Sequence, residues 1–251
     1  MMYIALPDSG VRRLSFYLAM EEYIARHLSK MAHGEEGKDG AGGRDADSFF
    51  FLWQVEPSVI FGRNQQLARE VNVDYCREHG IRIYRRKSGG GCVYADRDNL
   101  MLSFVTAEPN VGFAFNRFIN MVLLVLRRLG IEAVGTSRND VLIGDRKVSG
   151  TASYHLPEAN IVHGTLLYDT NMTHMLNAIT PGTEKLQQKG IESVRQRITL
   201  LKDYTTLTME ELKVFICHTL CQERRLLTQT EVSAIEQMEH EYLKDEFIHL
   251  L

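Results

Sequence analysis

Residues 84–94 read YRRKSGGGCVY, setting two arginines and a lysine beside three consecutive glycines. Glycines let a backbone turn tightly and approach a ligand without Cβ interference. Successive N–H groups in such a turn form an anion nest, and Arg85 or Arg86 adds a planar, permanently charged donor for phosphate or carboxylate. The run is not a Walker A loop, which needs Gly-Lys-Ser/Thr, nor a G-x-G-x-x-G turn opening a helix, because strand-type residues follow. Read alone, it is equally a tight glycine hairpin with exposed arginines. A second segment, SRND at 137–140 followed by GDRKVSG at 144–150, puts Lys147 at the start of a strand. A lysine held there can set one compact cation over a phosphate, although in isolation a hairpin with solvated charges is favoured. The third segment is HGTLLY at 163–168, where a lone histidine before a strand is more often structural than catalytic.

The elements that must position these residues follow from apolar spacing. Val11, Leu14, Leu18, Ala19, Tyr23 and Ile24 recur at helical intervals and predict a helix over about 11–28, with Asp8 or Ser9 as its N-cap. Residues 34–47 (GEEGKDGAGGRDAD) carry five glycines and no apolar residue larger than alanine; with nothing to bury, they read as a flexible exposed insertion. Strands are predicted at 49–55, 59–61, 81–85, 92–94, 101–106, 141–144, 147–153 and 161–168. Helices are predicted at 71–79, at 115–129 with Gly130 as the stop, and at 208–221 and 231–243. Helices and strands interleave without a strict βαβ repeat. That order predicts an α+β fold with a mixed, largely antiparallel sheet flanked by helices, and residues 1–251 are expected to form a single domain.

With 29 Lys+Arg against 32 Asp+Glu and 44% hydrophobic residues, the chain has the balance of a soluble globular protein. Disorder, collagen and disulfide scaffolds are excluded. Cys76, Cys92, Cys217 and Cys221 form no C-x-x-C pair and no zinc spacing, so no metal site is expected. The start MMYIALPDSGVRR lacks a signal-peptide pattern, and no apolar run reaches 18 residues. A cytoplasmic protein with no membrane contact is expected. A pI near 6.3 without a dense basic tract argues against nucleic acid as a partner.

In this order and spacing the segments resemble the lipoate–protein ligase A family. The matching pieces are EPSVIFGRNQ at 56–65, RRxSGGGxVY at 85–94, NLxLSF at 99–104, RNDV at 138–141 with KVSG at 147–150, HGTLL at 163–167 and KGIxSVRxRIT at 189–199. The resemblance runs from about residue 14 to 199 and more weakly to the end. It implies a biotin/lipoate ligase-like catalytic domain that activates lipoate with ATP to lipoyl-adenylate. The acyl group then passes to a lysine of a lipoyl acceptor domain, in a 2-oxoacid dehydrogenase complex or the glycine cleavage H protein. By that resemblance Arg86, Gly91, Cys92, Val93, Tyr94, Asn99, Asp140 and Lys147 hold the nucleotide. Arg86, Ser88, Gly89, Gly90, Lys147, Gly150, His163 and Gly164 hold the lipoyl group. Lys147, touching both carboxyl and phosphate, is the catalytic residue, while Asn99 and Asp140 orient the nucleotide or a magnesium ion. Mg2+ is expected as a pyrophosphate clamp. The physics agrees, because joining two anions requires positive charge and fixed orientation.

Two features depart from the family pattern. Cys92 stands where relatives commonly carry alanine; beside a glycine nest it is either an activated nucleophile or a small buried side chain. No counterpart of the C-terminal domain of longer relatives is expected after residues 231–243, which makes a separate accessory protein a candidate partner. A rival reading is a lipoyl or octanoyl transferase that uses a preactivated donor. It needs a cysteine nucleophile just ahead of the second segment, and EAVGTSR at 132–138 contains none. A biotin ligase is disfavoured because no basic G-R-G-R-type loop occurs. A catalytically limited lipoyl-adenylate-binding protein is opposed by Arg86 and Lys147. Closure by a further domain excludes water and aligns reactants, so the two half-reactions are expected to separate. The chain should transfer readily from supplied lipoyl-adenylate, and slowly from lipoate plus ATP unless an accessory protein is added. A gel-shift assay of an acceptor domain under both conditions checks this; equal rates would count against it.

Overall fold

In SFFFLW at 48–53 every residue after the serine is apolar, so the two-residue period of a strand sends apolar side chains to both faces. Phe49, Phe51 and Trp53 join one core and Phe50 joins another. A strand buried on both sides requires a covering layer on each. The computed structural model describes residues 1–27, 48–179 and 197–249; the insertion expected at 34–47 and most of the 189–199 segment lie outside them.

In chain order the elements are β1 (Met2–Ala5), α1 (Leu14–Arg26), β2 (Ser48–Trp53), β3 (Ser58–Phe61), α2 (Leu67–Glu70), α3 (Val73–Glu78), β4 (Arg82–Arg85) and β5 (Val93–Ala95). There follow β6 (Asn99–Thr106), α4 (Val111–Arg128), β7 (Val134–Gly135), β8 (Asp140–Ile143), β9 (Arg146–His155), β10 (Asn160–Leu167) and α5 (Met172–Ala178). A 3-10 turn (Leu201–Asp203), α6 (Met209–Leu220), β11 (Glu223–Leu226), α7 (Gln229–Tyr242) and α8 (Asp245–Ile248) complete the described chain. The main sheet has the order β11-β1-β2-β6-β10-β9-β8-β7. It is antiparallel from β2 to β7, while β1 pairs in parallel with both β2 and β11. A second sheet, β4-β3-β5, stands apart from it.

Helix α1, buried from Leu14 to Ala25, covers one face of the main sheet together with α7; α4 and α6 cover the other. The small sheet packs Val59, Phe61 and Tyr94 against Cys76, Met175 and Ala178 of α3 and α5. It turns Ile60 and Tyr84 the other way, into the core beneath α1. The expected α+β class, largely antiparallel sheet and flanking helices are all present.

Several local expectations need correction. Neither Asp8 nor Ser9 caps α1, whose N-cap position is Arg13, extended and with no side-chain bond to the helix N-terminus. Asp8 instead accepts from the Gly10 N–H at 2.9 Å and the Arg12 guanidinium at 2.7 Å, so the chain turns locally before the helix begins. The helix predicted at 71–79 is present as α3, which begins where Asn72 leaves helical geometry and accepts from the Tyr75 N–H; the short helix α2 lies just ahead of the predicted range. Helix α4 begins four residues earlier than expected because Asn110 accepts from the Phe113 N–H. It ends as expected at Gly130, with φ +77°. Strands β1, β7 and β11 escaped the pattern reading.

One contact fixes the small sheet against the glycine-rich loop. A Cβ added at Gly62, just after β3, would stand 2.1 Å from the Gly90 carbonyl oxygen, so the two backbones touch. On either side the Arg63 N–H donates to the Ser88 carbonyl and the Arg86 N–H to that of Phe61, both at 3.0 Å. Gly62→Ala should therefore cost about 1–3 kcal/mol by overpacking. Urea unfolding would show a lower midpoint at unchanged slope; an unmoved midpoint would mean that the loop can withdraw.

Candidate active site

The loop from Arg86 to Cys92 is shaped from within by Arg86. This side chain is 5% exposed, and its fork donates to the carbonyls of Gly89 (2.7 and 3.2 Å), Gly91 (2.8 Å) and Ile60 (3.1 Å). Burial lowers its pKa to about 10, so it remains charged at neutral pH. Gly90 adopts φ +89°, the left-handed region that glycine tolerates. On the outer side, Cβ atoms built at Gly89 and Gly91 would meet nothing within 4 Å. The loop is tied on one side and open on the other.

Against it lies a cavity of about 190 Å³ between the small sheet and the centre of the main sheet. Of the residues singled out in the sequence, Arg86, Gly90, Gly91, Cys92, Val93, Lys147, Gly150, His163 and Gly164 line it. Leu18, Trp53, Ile60, Met101 and Ala152 supply an apolar wall that the motif reading missed. Ser88 stands behind the wall, its hydroxyl 2.8 Å from His163 Nε2, while His163 Nδ1 lies 2.9 Å from Glu21 of α1. Glu21 also escaped the sequence reading. Glu21 and Glu22 are adjacent carboxylates in an otherwise largely apolar helix. A larger groove of about 920 Å³ opens beside β1 and residues 6–11, but none of the sequence-predicted site residues line it.

At the polar end of the cavity, Lys147 Nζ lies 2.7 Å from Asp140 Oδ1, both side chains being about one-third exposed. An irregularity in the β8–β9 register at Val141/Leu142 leaves Asp140 opposite Gly150. A Cβ at Gly150 would come 2.7 Å from both Cε and Nζ of Lys147, so glycine there gives the lysine room to reach Asp140. Asn99 and Tyr94 stand elsewhere. Asn99 is fully buried and donates to the Tyr94 carbonyl (3.1 Å) and Thr170 Oγ1 (3.0 Å), tying the β5–β6 connection to the turn before α5. Tyr94 lies in the core of the small sheet. Cys92 lines the cavity, and burial pushes its thiol up to about 12.

The arrangement is an apolar slot with one lysine at its mouth and a glycine-rich loop open alongside. Such a site takes an apolar chain ending in an anion and can set a phosphate beside that anion.

Comparison with known proteins agrees. Residues 14–220 match the family model described as the lipoyl protein ligase A/B catalytic domain. Lipoate-protein ligase LplJ of Bacillus subtilis is 35% identical over 200 residues, 78% of this chain and 56% of that protein. Lipoate–protein ligase 1 of Staphylococcus aureus is 33% identical over 243 residues, 94% of this chain and 70% of that one. The chain thus spans little more than half the length of the Bacillus relative. A solved bi-partite lipoate protein ligase of Thermoplasma acidophilum, described with its E2 lipoyl domain, is 25% identical with a TM-score of 0.83; the match covers 100% of this chain and 96% of that one.

A thiol pushed up to about 12 is ionised to only about one part in ten thousand at pH 8. Iodoacetamide at that pH should therefore spare Cys92 in the folded protein and label it after denaturation, as read by peptide mass spectrometry. Rapid labelling in the folded state would show an activated nucleophile.

Proposed function

Because the chain belongs to the lipoyl protein ligase A/B catalytic-domain family, we propose that it activates lipoate with ATP and transfers the lipoyl group to a lysine of lipoyl acceptor domains. In the first step a lipoate carboxylate oxygen attacks the α-phosphorus of ATP and pyrophosphate leaves, giving lipoyl-AMP. In the second, the acceptor lysine amine attacks the acyl carbonyl, AMP departs and an amide forms, with loss of the amine proton. The observation that carries this reading is the placement of Lys147 at the polar end of an apolar cavity beside the glycine-rich loop.

Asp140 holds the Lys147 ammonium beside it as an ion pair at 2.7 Å. The three N–H donors of an ammonium can bridge the carboxylate and the α-phosphate, lowering the repulsion between two anions where the new bond forms. The open side of Gly89 and Gly91 is where the nucleotide would approach. The apolar wall of Leu18, Ile60 and Met101 would take the acyl chain and keep water from the anhydride. Among the described residues no cluster of three His, Cys, Asp or Glu side chains could hold a metal ion alone. Mg2+ binds through one or two carboxylates plus substrate phosphates, and Asp140 is the carboxylate at hand to orient it.

The acceptors follow from the chemistry and from the Thermoplasma neighbour, described with an E2 lipoyl domain. Among the described residues no helix is long and apolar enough to cross a membrane. A transferase acting through a cysteine is disfavoured by the raised Cys92 thiol. The direct test is incubation with lipoate and Mg·ATP without acceptor, looking for pyrophosphate and lipoyl-AMP. Lys147→Ala should reduce adenylate formation by roughly two orders of magnitude, the loss of a charge-assisted contact in the transition state. Its melting temperature should barely move, since the Lys147–Asp140 pair is partly exposed. Near-normal pyrophosphate release by this variant would remove Lys147 from the mechanism.

A further inference from the structure

Glutamate is seldom buried unless paired, yet α1 buries two in succession, Glu21 and Glu22 each being 3% exposed. Successive helical residues point about 100° apart, so the two carboxylates meet different neighbours. Glu22 accepts from Lys87 Nζ (2.6 Å), Arg26 Nη2 (2.6 Å) and the Tyr242 hydroxyl (2.9 Å). Burial alone would raise its carboxyl, but the bonds from Lys87 and Arg26 outweigh that and hold it below the usual range. Glu21 takes its bonds from His163 Nδ1 (2.9 and 3.0 Å) and from the Ser103 hydroxyl.

With Glu21 as a carboxylate and His163 as a neutral imidazole, the direction of every bond around Glu21 follows. The Trp53 indole N–H can only donate, and it does so to Ser103 Oγ at 2.9 Å. Ser103 therefore gives its own proton to Glu21. A carboxylate only accepts, so His163 carries hydrogen on Nδ1. Its Nε2 is then the acceptor for the Ser88 hydroxyl at 2.8 Å. Ser88 follows Lys87 in the glycine-rich loop. Two neighbouring carboxylates on one helix thus hold two neighbouring loop residues, one by direct ion pair and one through an imidazole that lines the cavity.

We propose that Glu21 is a positioning residue for acyl binding: acting through His163, it fixes Ser88 and the glycines after it against the cavity. The proposal rests on the functional reading above only for its kinetic arm. Glu21→Gln keeps the side chain's size but adds an N–H2 that can donate to Nδ1 and reverse the chain of bonds. In 15N-histidine NMR, with the His163 signal identified by its loss in His163→Gln, the parent should show the Nδ1–H tautomer. The variant should move toward Nε2–H. Hydrogen exchange in a peptide covering 86–92 should quicken about tenfold, the scale of one charge-assisted hydrogen bond. The KM for lipoate should rise by a similar factor, with the KM for ATP and the melting temperature little changed. In a Ser88→Ala background the same substitution should add almost nothing.

An unchanged tautomer together with unchanged loop exchange overturns the proposal even if lipoate is turned over. Both effects in a chain that releases no pyrophosphate from lipoate and ATP support the proposal and count against the functional reading instead. Should Glu21→Gln fail to fold, Glu21→Asp keeps the charge and should keep the Nδ1–H tautomer; Nε2–H in that variant overturns the proposal as well.

Discussion

The structure around the cavity depends on one buried guanidinium. Without Arg86 the carbonyls of Ile60, Gly89 and Gly91 would lose their donors, and a glycine run has no side chains of its own to define a shape. Each hydrogen bond from a charged donor contributes on the order of 1.5–3 kcal/mol, which offsets the cost of burying the charge. The rigid, planar fork also dictates where those carbonyls stand. Arg85 acts toward the opposite side of the strand. It donates to the carbonyls of Arg63 (2.7 Å) and Ile248 (3.1 Å) and stacks over Phe61 at 4.5 Å. The two arginines therefore hold β4 to the start of the loop and to α8, and neither is a loose surface charge.

This changes how charge is distributed at the site. An anion arriving at the glycine-rich loop meets backbone dipoles backed by a guanidinium whose hydrogen bonds go to the loop itself. The cation that reaches outward is Lys147, set on a strand rather than a loop and given room by Gly150. Rigid strands on one side and a braced loop on the other suit a reaction whose difficulty is alignment more than bond breaking. The apolar wall comes mainly from other elements, α1, β2, β3 and β6, with Ala152 added by β9, so the acyl chain, the charge and the nucleotide are governed largely by different parts of the fold.

Much of this was legible in the sequence. The α+β class, the long amphipathic helix ending at Gly130 and the three motif segments all follow from apolar spacing and glycine placement. Other features were hidden for physical reasons. Strand β11 is ERRL at a sheet edge, and an edge strand facing water carries no apolar alternation. Residue type reveals that Arg86 is charged but not that its fork is turned onto the carbonyls of its own loop. Tyr94 lies in the same motif as cavity residues yet joins the core of the small sheet, since a strand turns successive side chains to opposite faces. Glu21 was missed because its role exists only through His163, which is 142 positions away in the chain.

Strand β10 lies at the centre of the antiparallel sheet, with His163 and Gly164 side by side between β6 and β9. Adjacent residues of a strand face opposite ways, so the imidazole meets α1, while a Cβ on the glycine would stand 3.0 Å from the Phe118 ring of α4. The order of these two residues is thus a matter of parity. Deleting or inserting a single residue upstream within β10 would exchange their faces, pressing an imidazole into Phe118 and setting a bare glycine beneath a buried glutamate. Insertions in the connecting loops leave that parity intact. The length of this one strand is therefore constrained far more tightly than the lengths of the segments that join the others.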